Sequence, residues 1–273
     1  MRPTEVVRRG ATYLDRHGVE RPEVNAEALM LTVLGTDRAG LAARDEGLTS
    51  AEARRYGRAL CRRCTGTPLQ HLTGEQGFRH LVLAVRPGVF VPRPETEVLV
   101  DLALAALADA SAPLVADACT GTGAIALAIA HEHPGARVVA TDLSLDAVAL
   151  AAENARRLAL DVDVVAGDLL APVEGPLDLV TCNPPYVPAE HRDDLPPEVL
   201  ADPALAVFGG PPIYARLFAE AAARLRTGGH VVVEIEDSTA PTIERLAVEA
   251  GFADVRTVRD LNGRDRVVTG RRP

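Results

Sequence analysis

The sequence contains no tryptophan and no lysine, and aromatic residues make up only 3% of its 273 positions. All 29 basic residues are therefore arginines, and 38 acidic residues outnumber them. The resulting net charge of −9 argues against general affinity for nucleic acid, because binding to a phosphate backbone needs a positive surface. We therefore expect no direct nucleic-acid specificity.

Long apolar runs and cysteines are also scarce. No run approaches the roughly 20 apolar residues of a membrane helix, and the opening MRPTEVVRRG is not followed by the apolar core of a signal peptide. We expect a cytoplasmic protein with no membrane contact. The four cysteines are too few and too scattered for a disulfide framework. Cys61 and Cys64 lack a second cysteine or histidine pair nearby, so we expect no metal site.

Apolar spacing and chain breakers divide the sequence into three regions. Residues 1–75 repeat apolar positions every three or four residues, which predicts a helical N-terminal domain. Residues 76–92 predict a β-hairpin linker, with strand-like alternation in FRHLVLAV, the turn RPG and a second short strand VFV. In residues 93–273 helices and strands alternate, which predicts a larger α/β domain.

One face of the N-terminal domain is basic. Residues 1–75 carry 12 arginines against 10 acidic residues, a net charge of +2, which leaves −11 for the remainder. Arg54, Arg58 and Arg62 fall on one face of a predicted helix whose N-cap we assign to Ser50. This face is either a solvated surface or a docking surface for an RNA-associated partner.

The larger domain predicts a mostly parallel sheet. Its strands are nearly continuous apolar runs, which is typical of strands covered by helices on both faces. The last two predicted strands, DVRTV and RVVTG, are joined by a short turn and must pair antiparallel. A seven-stranded sheet with one antiparallel strand resembles the Rossmann-like fold of class I S-adenosylmethionine-dependent methyltransferases, preceded here by a small helical domain and a hairpin linker.

A small-residue loop follows the first strand of this domain in DACTGTGAIALA, residues 117–128. Gly121 and Gly123 allow the backbone to approach a ligand closely, and the next helix begins with free N–H groups. The loop also satisfies a loose G-x-G-x-x-A, so an NAD site is an alternative. The candidate cofactor-binding residues are Cys119, Thr120, Gly121, Thr122 and Gly123.

Acidic residues end the next two strands. Asp142 can accept the ribose hydroxyls of an adenosine, and Asp168 can accept the exocyclic amine of adenine, with Leu169 against the ring. Each has an alternative role, Asp142 as a helix cap and Asp168 as a turn residue. Because ligands of open α/β sheets bind at the carboxyl ends of strands, three such neighbouring strand ends predict an adenosine-type cofactor.

The stretch TCNPPY ends the fourth strand, which we expect beside the first. Proline donates no backbone hydrogen bond, so Asn183, Pro184 and Pro185 form a stiff exit with free acceptor oxygens. The Asn183 side chain and the Pro184 carbonyl can grip the two hydrogens of a planar NH2 group, while Tyr186 packs on it. This predicts N-methyl transfer from a sulfonium to an amide or an exocyclic amine, with Asn183, Pro184 and Tyr186 as the catalytic candidates.

Five segments in order, TPLQHLTGEQGF, VFVPRPETEVLV, DACTGTGAIALA, CNPPY and GRDRVV, resemble the HemK/PrmC family of protein-(glutamine-N5) methyltransferases. The resemblance implies S-adenosyl-L-methionine as cofactor, S-adenosyl-L-homocysteine as product, and the glutamine of the release factor Gly-Gly-Gln motif as substrate. It also implies that residues 1–75 dock the peptide chain release factor, that residues 93–273 are catalytic, and that any ribosome association is indirect.

The resemblance also implies roles for individual residues. One set of residues would contact the substrate amide, and a second set would contact the cofactor. The implied substrate-binding residues are Asn183, Pro184, Pro185, Tyr186, Arg93, Pro94 and Thr96. The implied cofactor-binding residues are Cys119, Thr120, Gly121, Thr122, Gly123, Asp142, Asp168, Leu169 and Asn183. Three features depart from the family pattern: Cys119 and Glu236 where glycine is usual, and a short loop after Gly210.

Two other functions are compatible with these motifs. An adenine-N6 methyltransferase acting on nucleic acid would use the same Asn-Pro-Pro-Tyr, although the acidic larger domain argues against it. A non-catalytic homologue that binds a release factor or the ribosome would keep the fold and the cofactor without turnover. An NAD-dependent enzyme has no use for the Asn-Pro-Pro-Tyr exit.

Overall fold

The structure, a computed structural model, describes the whole chain except the side chain of Pro197. The chain divides into two units. The first comprises Met1–Glu75 and Pro196–Ala201, and the second comprises Gln76–Leu195 and Asp202–Pro273. The inclusion of residues 196–201 in the first unit was not indicated by the sequence. None of the helices among the described residues is both long and apolar enough to span a membrane.

The first unit is built around helices packed on a small core. Tyr56 lies in that core with its hydroxyl donating to the Ala26 carbonyl at 3.1 Å. A Cβ on Gly10 would lie 2.3 Å from the Tyr56 hydroxyl. Only glycine therefore allows the helix that contains Gly10 to pack this closely against the helix that contains Tyr56. The helices are α1 (Pro3–Arg16), α2 (Pro22–Leu34), α3 (Arg38–Ala43), α4 (Ser50–Cys64) and α5 (Leu69–Thr73).

Helix α4 carries the arginine face. Its N-cap is Thr49, in a capping box with Glu52, so the assignment of the cap to Ser50 was wrong by one residue. The reason is that Thr49 and Glu52 satisfy each other's backbone N–H groups, which Ser50 cannot do from its position. Arg54, Arg58 and Arg62 are exposed on this helix, as predicted.

The β-hairpin lies earlier than the sequence indicated. Its strands are β1 (Glu75–Phe78) and β2 (Leu81–Ala84), and the predicted strand VFV at 89–91 is not a strand. Arg79 makes the turn with φ 51° and donates its N–H to Glu97 Oε1 at 3.0 Å. Its guanidinium also reaches Glu132 at 2.8 Å. These long-range contacts stabilise the turn at Arg79 rather than at RPG.

The second unit contains a seven-stranded sheet in the order β5-β4-β3-β6-β7-β9-β8. All neighbouring strands pair in parallel except β9, which is antiparallel to β7 and to β8. This confirms the predicted class I methyltransferase topology. The strands are β3 (Leu114–Ala118), β4 (Arg137–Asp142), β5 (Val162–Ala166), β6 (Leu177–Cys182), β7 (Leu225–Glu234), β8 (Ala253–Arg259) and β9 (Asp265–Arg271).

Helices cover both faces of the sheet, and each face has its own buried cluster. On one face α6, α7 and α8 pack over the sheet, and on the other α11 and α12 do so. The short helices α9 and α10 lie in the segment after Tyr186, where the sequence predicted only a loop. The helices of the second unit are α6 (Glu97–Ala106), α7 (Ala124–Glu132), α8 (Leu145–Leu158), α10 (Ala204–Val207), α11 (Pro211–Arg224) and α12 (Ala240–Glu249). Helix α9 (Pro197–Leu200) belongs to the first unit.

Candidate active site

The predicted site residues converge at one edge of the sheet. Ala118, the last residue of β3, lies opposite Thr141 of β4 on one side and opposite Cys182 of β6 on the other. The residues that follow these three positions are Cys119, Asp142 and Asn183. The strand register therefore places the start of the glycine loop between the acidic strand end and the Asn-Pro-Pro-Tyr exit, as the sequence predicted.

The glycine loop turns repeatedly through left-handed backbone conformations. Cys119, Gly121 and Gly123 have φ values of 56°, 57° and 84°. A Cβ at Gly123 would lie 3.0 Å from Leu127 and 3.2 Å from Ala151, so this glycine permits close packing against α7 and α8. A Cβ at Gly121 would meet nothing within 4 Å. The loop is therefore tight on its protein side at Gly123 and open at Gly121.

Cys119 is a non-glycine residue in a conformation that favours glycine. Its side chain packs against the buried cluster that contains Cys182, and both cysteines are free thiols. Burial raises the pKa of the Cys182 thiol well above its ordinary value, and the neighbouring Cys119 raises it further. Cys182 is therefore a neutral packing residue at neutral pH, behind the glycine loop.

Asp142 is oriented towards the glycine loop by backbone donors. The Gly121 N–H donates to Asp142 Oδ2 at 2.9 Å, and the Ser144 N–H donates to Oδ1 at 2.9 Å. Burial raises the pKa of this carboxyl, while the two backbone hydrogen bonds lower it. The helix-capping side chain is that of Ser144, which accepts from Ala147. Asp142 thus braces the loop and presents an acceptor at the strand end.

Asp168 and Leu169 follow β5. The Arg216 guanidinium donates to Asp168 Oδ2 at 2.6 Å in a half-exposed ion pair, a partner that the sequence did not indicate. Leu169 has φ 49° and a side chain that is only 3% exposed, and its carbonyl accepts from the Thr141 hydroxyl at 2.6 Å. Leu169 therefore packs its side chain into the core, and its contact with an adenine ring stays a prediction.

The Asn-Pro-Pro-Tyr exit is fixed at both ends. The Asn183 Nδ2 donates to the Thr96 hydroxyl at 3.4 Å, and the Tyr186 hydroxyl donates to Glu234 Oε1 at 3.4 Å. Between them Pro184 is buried and Pro185 is half-buried. Since the amide nitrogen of Asn183 is turned to Thr96, its oxygen faces away from Thr96.

A second segment supports this exit from behind. The Val187 N–H donates to Val207 and the Gly209 N–H donates to Val187, each at 3.0 Å. A Cβ on Gly209 would lie only 2.0 Å from the Pro185 carbonyl oxygen. Glycine at 209 is thus required for the backbone of the exit to take its position.

Comparisons with known proteins identify the family of this chain. Residues 5–74 match the PrmC N-terminal domain, and residues 81–206 match the methyltransferase small domain. The "Release factor glutamine methyltransferase" of Deinococcus radiodurans is 42% identical, covering 100% of this chain and 99% of the relative. The protein of the same name from Mycolicibacterium smegmatis is 43% identical, covering 93% of this chain and 92% of the relative.

The chain belongs to the release factor glutamine methyltransferases. Among solved structures, ribosomal protein L11 methylase from Lactobacillus delbrueckii subsp. bulgaricus is similar with a TM-score of 0.52 and 26% identity, over 71% of this chain and 95% of that one. The T. thermophilus 16S rRNA N2 G1207 methyltransferase, solved with AdoMet and guanosine, has a TM-score of 0.56 and 20% identity over 73% of this chain and 50% of that one. This likeness confirms the fold.

Three buried carboxyls of this methyltransferase were missed in the sequence. The first is Asp117, whose carboxyl lies in the core of the sheet. The hydroxyls of Thr120 and Thr181 donate hydrogen bonds to it at 2.6 and 2.7 Å. Burial raises its pKa to about 7, against an ordinary value of 3.8. It joins the glycine loop to β6, and only its place directly before the loop in DACTGTG could have drawn attention to it.

Asp202 is the second of these, and it holds the segment that leads into α6. Arg93 donates to Asp202 Oδ2 at 2.6 Å, and the Val91 N–H donates to Oδ1 at 3.3 Å. Burial raises the pKa of Asp202 to about 6, although Arg93 lowers it. Pro94 begins the 3-10 turn Pro94–Thr96 that follows. In this methyltransferase Arg93 is therefore committed to an ion pair, and a contact with substrate stays a prediction for it and for Pro94.

Glu234, at the end of β7, is the third missed residue. Its side chain is completely buried beside Tyr186, and burial raises its pKa to about 7. The only signal in the sequence was an acidic residue within an apolar run, VVVEI.

Among the residues that the structure describes there is no cluster of three or more metal-ligating side chains.

Proposed function

We propose that this methyltransferase transfers the methyl group of S-adenosyl-L-methionine to the side-chain amide nitrogen, N5, of the glutamine in the Gly-Gly-Gln motif of release factors. The observation that carries the proposal is the orientation of Asn183, whose nitrogen is committed to Thr96 and whose oxygen faces away from it. The full-length relatives named for release factor glutamine methylation support the substrate. The reaction would modulate translation termination in the cytoplasm.

An amide nitrogen needs this kind of site because it is a poor nucleophile. Its lone pair is delocalised into the carbonyl group, so catalysis depends on orienting the nitrogen and weakening its planarity. The Asn183 side-chain oxygen and the Pro184 carbonyl oxygen would accept the two amide hydrogens. Pro185 keeps the Pro184 carbonyl rigid because its φ is fixed, and Tyr186 would pack against the flat amide.

The residues at the neighbouring strand ends fit the cofactor. Gly121 is open on the side where a Cβ would meet no atom, which leaves room for a ligand against the loop backbone. Asp142 and Asp168 are carboxylate acceptors, which suit ribose hydroxyls and the exocyclic amine of adenine. Cys119, Thr120, Thr122 and Gly123 shape the loop around that space, and Leu169 closes it from the core. The cofactor supplies a methyl group on a sulfonium, which is a good leaving group.

The first unit would hold the release factor. Arg54, Arg58 and Arg62 present a cationic face, and the match of residues 5–74 to the PrmC N-terminal domain marks this region as characteristic of the family. We expect the triple substitution to alanine to raise the KM for release factor by about fivefold while cofactor affinity is unchanged. Methylation assays at a series of release factor concentrations measure this, and an unchanged KM would make these arginines a solvated face.

The decisive experiment incubates purified release factor with this protein and S-adenosyl-L-methionine. Mass spectrometry of the Gly-Gly-Gln peptide should show one added methyl on the glutamine side chain. A release factor with Gly-Gly-Glu in place of Gly-Gly-Gln is the matched control and should stay unmodified. Methylation of an adenine-containing oligonucleotide instead would support the nucleic-acid function, and cofactor binding without any product would support a non-catalytic homologue.

A further inference from the structure

Asn154 is a polar residue of α8 that is buried against the glycine loop. It is 0% exposed, although the same helix carries exposed charged residues such as Arg156. A buried side-chain amide is costly unless its donors and its acceptor are satisfied. Two backbone segments that are far from Asn154 in the chain satisfy it.

Asn154 makes three hydrogen bonds to main-chain groups. Its Nδ2 donates to the Thr122 carbonyl at 3.0 Å and to the Ala84 carbonyl at 3.1 Å. Its Oδ1 accepts from the Ala84 N–H at 2.7 Å. Both donor hydrogens of the amide are therefore used. The reverse orientation would place the amide oxygen against two carbonyl oxygens, so these partners fix the direction in which the amide faces.

The Ala84 side of this arrangement is a firm anchor. Ala84 is the last residue of β2, and both its N–H and its carbonyl bond to Asn154, as they would to a neighbouring strand. Apolar packing supports the same attachment of the hairpin to α8. The buried cluster there consists of Ala84, Val89, Ala147 and Leu150. Asn154 is thus fixed on one side before it contacts the glycine loop on the other.

On the other side Asn154 holds one peptide unit of the glycine loop, the unit that joins Thr122 to Gly123. A trans peptide unit is planar, and its C=O and N–H point in opposite directions. The carbonyl of this unit points to Asn154, and the Gly123 N–H donates to the Thr120 carbonyl at 2.8 Å. The unit is therefore held at both of its polar groups. It lies one residue after Gly121, where a Cβ would meet nothing within 4 Å.

We propose that Asn154 is a positioning residue for the cofactor, which holds the Thr122–Gly123 peptide unit in the orientation that keeps the loop backbone open at Gly121. The polar atoms of Asn154 are committed to Ala84 and Thr122, so it acts through the loop and not on the ligand. This inference rests on the proposed binding of S-adenosyl-L-methionine at the glycine loop.

Loss of the Asn154 amide leaves the buried Thr122 carbonyl without its donor. The peptide unit can then rotate towards another donor, which breaks the bond from the Gly123 N–H to Thr120 and alters the backbone path next to Gly121. Binding must restore the original path, and this reordering costs affinity. The proposed chemistry at Asn183 lies on another strand. Cofactor affinity should therefore fall while kcat at saturating cofactor changes little.

The test compares wild type with two variants of Asn154. Asn154→Asp keeps the shape and the acceptor but, as a carboxylate, has no donor hydrogen, and Asn154→Ala removes all three bonds. Calorimetric titration gives the Kd for S-adenosyl-L-homocysteine, and methylation assays at saturating release factor give kcat and the KM for cofactor. We expect both variants to raise Kd and KM by roughly 10- to 100-fold and to keep kcat within about threefold.

Asn25 provides a matched control in the first unit. It is also buried, its Nδ2 donates to the carbonyls of Glu20 and Arg21 at 3.0 and 3.1 Å, and its Oδ1 accepts from Arg63 Nε at 2.7 Å. Asn25→Ala therefore removes an equivalent set of bonds away from the glycine loop. It should lower the melting temperature, as Asn154→Ala does, but leave the Kd for S-adenosyl-L-homocysteine within about twofold.

The outcomes separate this inference from the proposed function. Wild-type protein that binds the cofactor but methylates no release factor glutamine would contradict the proposed function and leave the comparison of Kd values intact. An unchanged Kd in folded Asn154→Ala, or an equal rise in Asn25→Ala, would overturn the positioning role. A lower kcat at unchanged KM for cofactor would overturn it as well. If Asn154→Ala does not fold, Asn154→Asp decides, and failure of both variants to fold would assign Asn154 to folding instead.

Discussion

The two loops at the active edge of the sheet are held in different ways. The glycine loop is supported from nearby in the chain: Thr120 bonds Asp117 three residues away, and Gly121 bonds Asp142 at a separation of 21 residues. The Asn-Pro-Pro-Tyr exit is supported from far away, since Thr96 precedes Asn183 by 87 residues and Glu234 follows Tyr186 by 48. The proposed cofactor side is thus held mainly at shorter separations, although Thr181 also bonds Asp117 from 64 residues away. The proposed substrate side is held by partners 48 and 87 residues distant.

The two loops also differ in how well their buried carboxyls are satisfied. Asp117 accepts two short bonds from hydroxyls, at 2.6 and 2.7 Å. Glu234 accepts a bond of 3.4 Å from Tyr186, and its Oε2 lacks a partner among the described residues. An unsatisfied buried acceptor lowers the free energy of unfolding, so Glu234 beside the exit costs more stability than Asp117 beside the glycine loop.

The largest effect should come from the substrate side. Replacing Asn183 by alanine removes one of the two proposed acceptors for the amide and should lower kcat by about 1,000-fold, because the proposed catalysis depends mostly on positioning. The cofactor should bind with little change, since its carboxylate partners lie on other strands. Single-turnover methylation and calorimetric cofactor titration measure the two effects. Turnover of Asn183→Ala at the wild-type rate would contradict the proposal that the Asn183 and Pro184 oxygens hold the substrate amide.

A substitution at Gly209, behind the Asn-Pro-Pro-Tyr exit, should also lower kcat, but by a smaller factor. In Gly209→Ala the new Cβ would lie 2.0 Å from the Pro185 carbonyl oxygen, so the exit must shift. A displacement of this order should lower kcat by roughly 100-fold. The control is Gly57→Ala on α4, where a Cβ meets nothing within 4 Å; it should stabilise the helix by about 0.5–1 kcal/mol. Equal activity of both variants would contradict a rigid exit.

The buried carboxyl on the cofactor side should make stability depend on pH. Because burial raises the folded-state pKa of Asp117 from 3.8 to about 7, the folded protein binds the proton more tightly than the unfolded chain. Its contribution to the free energy of unfolding is full below about pH 4 and is lost as pH rises through about 7.

Urea unfolding at about pH 5 and pH 8 tests this contribution. The fall in the free energy of unfolding between the two values should be smaller in Asp117→Asn than in wild type, by on the order of 2 kcal/mol. An identical fall in both proteins would show that Asp117 titrates in the folded state as it does in the unfolded chain.

The smallest expected effects are on cofactor affinity, in variants of Asp168 and of its partner Arg216. Asp168→Ala should weaken cofactor binding by about 10-fold, because the proposed acceptor for the adenine amine is lost. Arg216→Ala should change it by less than about threefold, since the ion pair is half-exposed and such pairs contribute little. Titration of both variants with S-adenosyl-L-homocysteine measures this. A larger effect of Arg216→Ala would assign the contact with cofactor to the arginine.

Most of the fold could be predicted from the sequence. The helix AIALAIAHE and the strand LVADA have the bounds of α7 and β3, because apolar periodicity and the flanking glycine and proline mark them locally. The hairpin was misplaced because its turn at Arg79 depends on Glu97 and Glu132. The helices after Tyr186 were missed because that segment is rich in proline and has no clear periodicity.

The sequence by itself determined the order of the strands in the seven-stranded sheet and the glycine loop with Asp142 at the adjacent strand end. It also predicted a chemistry for Asn183 to Tyr186. Those features follow from residue type, spacing and the rule that parallel strands end at one edge. Only the tertiary structure decided that Thr96, Gly209 and Glu234 surround that exit. Their contacts join segments far apart in the chain, and long-range burial of a polar side chain leaves no periodic signal in the sequence.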